Sequence, residues 1–149
     1  MNDTVNSMAK FMDEAKEDIR LNFLEIENEL LRNSHLIGKW LTYQQNQKSK
    51  VLILETEYKR LLAIKKKYLM GKLPDEERDY MGWPLEGTKI LKADMDMWLD
   101  CDDEIIAKRQ KFQAQKQILD FIESTLTQVV DKKWSIKSYI DYKKWIEGN

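Results

Sequence analysis

Residues 88–130 read TKILKADMDMWLDCDDEIIAKRQKFQAQKQILDFIESTLTQVV, and within them Leu91, Trp98, Ile105, Phe112, Leu119 and Leu126 recur at every seventh position. A period of seven is close to two turns of α-helix, so these six side chains lie along one side of a long helix. The companion row is mixed, with Met95 and Val130 enclosing Asp102, Arg109, Lys116 and Glu123. One dry row beside a wet one predicts a helix packed along one flank, not an extended two-row coiled coil.

Upstream, Met8, Phe11, Met12, Ala15, Ile19, Phe23, Ile26 and Leu30 follow three- and four-residue steps and predict an amphipathic helix over 8–31, capped by Asn6 or Ser7. The apolar pattern continues through Leu31, Leu36, Ile37, Trp40 and Leu41, then meets the polar run 42–50. That run contains neither Gly nor Pro and reads as exposed helix. Spacing resumes at Val51, Leu54, Tyr58, Leu61, Leu62 and Tyr68, and Gly71 marks a helix end. Pro74, Gly82, Pro84 and Gly87 make residues 72–88 an irregular connector. The tail from Trp134 places Ile136, Tyr139, Ile140, Tyr142, Trp145 and Ile146 around most of a short helix, whose burial predicts a contact between subunits. The expected fold class is therefore all-α: long amphipathic helices, an irregular connector and a short C-terminal oligomerisation helix. Residues 1–132 form a helical region, with a basic block at 32–72, the connector at 72–88 and the long helix at 88–130. Residues 133–149 form the assembly helix.

Composition agrees. Five Gly and two Pro among 149 residues leave few turning points, and one cysteine, Cys101, cannot form an internal disulfide. That fits a reducing, cytoplasmic setting. The longest apolar run, Val51–Leu54, is far too short for a bilayer, and Met1–Thr4 does not begin a secretory signal.

The net charge of −1 hides blocks of −5 over residues 1–31, +8 over 32–72, −8 over 73–105 and +4 over 106–149. Such blocks either compensate one another between adjacent helices or leave a basic surface for an anionic partner and acidic surfaces for proteins. The basic block is densest at residues 59–72, where Lys59, Arg60, Lys65, Lys66, Lys67 and Lys72 surround Tyr68 without an acid. Lysines that neutralise phosphates give salt-sensitive affinity without sequence preference, and a tyrosine can stack on an unpaired base. The bland alternative is a solvated cationic helix end that complements its own dipole.

Catalytic signals are absent. There is no Gly-x4-Gly-Lys-Ser/Thr loop and no Gly-x-Gly-x-x-Gly turn, and His35 has no second His or Cys nearby. Asp96, Asp100 and Asp103 share a helix face, but no glycine turn accompanies them, so a solvated face is expected rather than a metal site. No catalytic residue, metal or cofactor is expected.

Several segments resemble the UvsY family of recombination mediators from T-even-like bacteriophages. Gly38-Lys39-Trp40-Leu41 resembles the family's Ser-Lys-Trp-Leu, and residues 62–71 (Leu-Ala-Ile-Lys-Lys-Lys-Tyr-Leu-Met-Gly) are similar to its Leu-Lys-Ala-Arg-Leu-Asp-Tyr-Tyr-Ser-Gly. Leu91-Lys92-Ala93-Asp94 resembles Leu-Ser-Ala-Asp, Ile118-Leu119-Asp120-Phe121 extends the likeness, and the tail from Trp134 to Gly148 matches the last helix in length and pattern. The resemblance implies a non-enzymatic mediator that binds single-stranded DNA. Its partners would be a phage recombinase, which it helps to load, and the phage single-strand-binding protein that covers the strand. It further implies a ring-like homo-oligomer, heptameric in the family, in the host cytoplasm and without a membrane. The family's DNA-contacting Arg falls on Lys65, its Lys falls on Ala63, and Lys66 and Lys67 can supply the missing charge. Expected DNA contacts are thus Lys59, Arg60, Lys65, Lys66, Lys67 and Tyr68. Expected assembly contacts are Trp134, Ile136, Tyr139, Ile140, Trp145 and Ile146. A structural scaffold without DNA affinity is the rival reading; a small metal-dependent enzyme built on the acids of 94–104 is a more distant one.

Overall fold

The computed structural model describes residues 2–85 and 90–148. Its elements are α1 (Asn2–Ile19), α2 (Ile26–Leu69), α3 (Asp75–Met81), α4 (Met95–Asp100) and α5 (Asp103–Glu147), an all-α fold with no strand among the described residues. The chain divides into two compact units, Met1–Ser49 with Gln115–Asn149, and Lys50–Ala114. The polar run 42–50 is helical, as its lack of Gly and Pro implied.

In the first unit, the helix expected over 8–31 stops at Ile19, and α2 starts at Ile26. No Gly or Pro makes the break. The Asn22 side chain instead accepts the Leu24 N–H at 3.0 Å, and its carbonyl accepts the Glu25 N–H at 3.2 Å, a local alternative to the helical ladder. Cations arriving from other helices take carbonyls of the last turn of α1: Arg32 donates to Glu17 O at 3.1 Å and Lys132 to Asp18 O at 3.0 Å.

Ala15 of α1, Leu36 and Trp40 of α2, and Ile118, Ile122 and Val129 of α5 form the core of this unit. In this unit the buried row of α5 is Ile118, Ile122, Thr125, Val129, Lys132 and Ile136, at alternating steps of four and three, while near the start of α5 Ile105 of the sevenfold row is 1% exposed. Two-row spacing is therefore present, one position away from where the sevenfold pattern put it. Leu119 and Leu126 are only half-buried on its flank. Thr125 and Lys132 disguise the true row: the hydroxyl donates back to Phe121 O at 2.9 Å, and the ammonium donates to Asp18 O and to Glu29 Oε2 at 3.2 Å.

Asp18, 6% exposed, gathers these contacts. Its Oδ2 accepts from Lys39 at 2.6 Å and from the Trp40 indole N–H at 2.9 Å, while Arg32 stands 3.6 Å from Oδ1.

In the second unit, α2 ends where Gly71 was expected to end it. Gly71 has φ 66°, its N–H donates to Tyr68 O, and the Lys72 N–H reaches back to Lys67 O, both at 2.9 Å. The expected connector contains α3, with Pro74 and three acids at its start and a second left-handed glycine, Gly82 (φ 71°), at its end. Residues 86–89, where the connector gives way to the long helix, lie outside the described residues. The helix expected over 88–130 is in fact α4 followed by α5, which runs on without interruption through the tail. Asp102 makes the joint, its Oδ1 accepting the Ile105 N–H at 3.0 Å as an N-cap. Leu91 and Trp98, the first two members of the sevenfold row, are exposed. Tyr68, Leu69, Trp83, Met95 and Leu99 form this unit's core.

Removing one partner of a buried charge cluster leaves the others desolvated and uncompensated. Asp18→Ala is therefore expected to lose about 3–5 kcal/mol of unfolding free energy, seen as a lower urea midpoint with the slope unchanged.

Candidate nucleic-acid interface

The basic stretch occupies the last turns of α2, and the structure sorts its members by direction. Lys59, Arg60 and Lys67 are exposed and Lys66 is half-exposed, all on the side away from the buried positions Val51, Lys65 and Tyr68. Lys59 pairs with Glu55 one turn earlier at 2.7 Å. Arg60, Lys66 and Lys67 have no ion pair among the described residues, and Lys72 follows as a further exposed cation.

Lys65 and Tyr68 of the expected set point inward instead. Lys65 is 6% exposed, its ammonium 2.9 Å from Asp102 Oδ2 and 3.6 Å from Glu104 Oε1. It also lies 4.1 Å from the centre of the Trp83 ring. Tyr68 is 8% exposed and donates its hydroxyl to Pro84 O at 2.6 Å. Lys65, onto which the resemblance carries a DNA contact, is ion-paired inside the unit, because the three-residue step along α2 turns residues 65 and 68 inward together.

Asp102, absent from the expected set of functional residues, joins two elements. Burial alone would raise its carboxyl, but the hydrogen bond from Lys65 and the Ile105 N–H outweigh it and hold it below the ordinary 3.8. In the first unit burial likewise opposes ionisation of Glu14, and hydrogen bonds from Lys39 and Tyr43 hold it below 4.5. Other acids of the 94–104 segment are dispersed: Asp100 pairs with Arg109 at 3.1 Å, and Trp83 donates to Glu104 at 3.1 Å.

The expected assembly residues also divide. Ile136, 1% exposed, belongs to the buried row of α5. Tyr139 is half-buried with its ring 4.8 Å from Phe23, and Ile140 is half-buried. Trp134, Trp145 and Ile146 are exposed, Trp145 at 68%. Tyr142, exposed beside Trp145, extends the same apolar end. These residues continue α5 instead of forming a separate helix.

A family model described as "Recombination, repair and ssDNA binding protein UvsY" matches residues 14–149. Among solved structures, the chain resembles crystal structures of the bacteriophage T4 recombination mediator protein UvsY. In one lattice the TM-score is 0.82 at 22% identity, covering 93% of this chain and 96% of that one. In another it is 0.79 at 21%, covering 93% and 98%. At such identities the structural likeness speaks for the fold. No curated protein matches the sequence.

Glu14 and Asp102 both have lowered values in the fold, so the stability they contribute is complete above their ordinary range and is lost as pH falls through the folded values. Melting temperature is expected to fall below about pH 4. Asp102→Asn should melt lower at neutral pH and show a shallower acid limb, converging on the parent in strong acid; pH-dependent thermal melts measure both.

Proposed function

The chain belongs to the UvsY family, and on that premise we propose that it is a non-catalytic mediator of recombination that binds single-stranded DNA and helps load a phage recombinase onto strands covered by single-strand-binding protein, in the host cytoplasm. One observation supports the DNA-binding role most: the outward face of α2 carries Lys59, Arg60, Lys66 and Lys67, the last three without ion-pair partners among the described residues. The strand runs against these four, its phosphates displacing counterions from them. Lys65 supports them from within, by fixing the end of α2 to the α4–α5 joint.

One patch of four cations binds weakly, whereas several copies acting on one strand multiply the effect. The exposed apolar end of α5, at Trp134, Trp145 and Ile146, supports assembly into a homo-oligomer, and the family resemblance favours a heptameric ring. A strand held by several subunits is bent away from the path imposed by the covering protein, which opens DNA for the recombinase. The exposed acids Asp75 and Glu76 of α3 suit contact with a protein partner.

Ion pairs within each unit favour the rival scaffold reading to a degree, since Lys48–Glu123 and Lys65–Asp102 show acidic and basic segments compensating each other. Anisotropy of a labelled single-stranded oligonucleotide, with duplex competitor at two salt concentrations, separates the two. Tight, salt-sensitive, single-strand-selective binding is expected, and no binding at low salt by folded, assembled protein refutes the mediator reading.

Lys66→Ala with Lys67→Ala should lower affinity by on the order of tenfold and reduce the salt dependence, leaving the melt unchanged. Lys65→Ala should instead lower stability by about 3 kcal/mol. Trp145→Asp with Ile146→Asp should yield smaller species by light scattering, and an unaltered mass would remove the tail from the assembly.

A further inference from the structure

A second group of cations lies in the unit Lys50–Ala114, on the flank where α2 and α5 run side by side. Tyr58 of α2 stacks on Phe112 of α5 with ring centres 6.2 Å apart and planes 11° from parallel. Beside that stack, Lys108 donates to Glu57 Oε2 at 2.8 Å, with both side chains less than half exposed. Arg60 lies one turn beyond Glu57 on α2, and Lys111 one turn beyond Lys108 on α5, so each shares its neighbour's face. The Glu57 carboxyl is held below its ordinary value by the Lys108 hydrogen bond, then by the charges of Lys108, Lys111 and Arg60. Lys108 is thus the direct partner of the carboxylate, and helix spacing places Arg60 and Lys111 on the same flank.

Exposed ion pairs contribute little to stability, so the Glu57–Lys108 pair and the bases on its flank do little for the fold. What they do is gather positive charge on one flank, where an anionic oxygen can dock. A phosphodiester carries the same single charge and accepts the same hydrogen bonds as a carboxylate. Lys67, seven residues after Arg60 and therefore on its side of α2, joins this flank to the face described above.

We propose that Arg60, Lys108 and Lys111 form a phosphate-binding site for single-stranded DNA in which the Glu57 carboxylate holds the phosphate's place in the free protein. The strand then touches α5 as well as α2, and Glu57 competes with every phosphate that enters. This inference rests on the DNA-binding reading and names further contacts for it. The internal competitor weakens the grip at each subunit and eases release of the strand.

Four variants of the full-length protein test it, using anisotropy of a labelled oligothymidylate across a salt series. Glu57→Gln is expected to bind several-fold more tightly, and Lys108→Ala with Lys111→Ala more weakly, with a salt slope lower by about 0.7 for each phosphate that is no longer neutralised. The opposite signs are the signature. If the pair served only to support the fold, losing either partner would act in one direction, and thermal melts of each variant would report it. Glu77→Gln, on exposed α3, removes the same charge elsewhere and is expected to change affinity far less. Equal gains from Glu57→Gln and Glu77→Gln would overturn the site. So would parental binding by the Lys108/Lys111 variant while Lys66→Ala with Lys67→Ala binds weakly; the DNA-binding reading would then stand without it. No binding by the parent protein at low salt would remove both.

Discussion

The carboxylate of Asp18 cannot stay charged and dry without partners, and the first unit is arranged to supply them. Lys39 and the Trp40 indole come from α2, Arg32 stands opposite the other oxygen, and Lys132 of α5 takes the backbone carbonyl of the same residue. Three helices converge on one position as a result. The second unit obeys the same constraint with the sign reversed: the Lys65 ammonium is enclosed by Asp102, Glu104 and the ring of Trp83. Replacing a buried charge by an apolar group is often tolerated, whereas leaving it alone is not, so such centres select one register among the several that an apolar seam permits.

This use of charge decides what remains for function. Of the cations between residues 59 and 67, Lys65 is consumed inside the protein and Lys59 is shared with Glu55, while Arg60, Lys66 and Lys67 face solvent without ion pairs among the described residues. Lys108 holds an intermediate position, bound to Glu57 where water can still reach both. An exposed pair of this kind exchanges partners at little cost, which a buried pair does not. Affinity for a polyanion therefore depends on how tightly each lysine is already held, and block charge alone overstates it.

Aromatic residues divide in the same way. Trp40 is fully buried and packs edge-on against Tyr43, and Trp83 covers Lys65. Trp134 and Trp145 extend into solvent at the end of α5, with Lys133 and Lys137 lying 5.3 and 5.8 Å from the centre of the Trp134 ring. An apolar end with cations above it is suited to a wet contact between copies, in agreement with the assembly proposed for it.

The amino-acid order alone determined helix content, the end of α2 at Gly71 and the dense basic run, because each depends on local spacing or a backbone only glycine adopts easily. It also carried the family likeness. The break after Ile19 was not legible, since it is made by Asn22 and by cations that arrive from Arg32 and Lys132. The buried row of α5 was hidden for a related reason: Thr125 and Lys132 look like surface residues until their partners are in place. The Pro74-to-Gly82 pattern of α3 was present in the sequence and is the kind of short helix that capping signals reveal. Which lysines point at solvent was decided by tertiary structure, because a charge's fate depends on the distance to its counter-ion. For Lys65 and Asp102, that distance spans residues far apart in the chain and close only once it has folded.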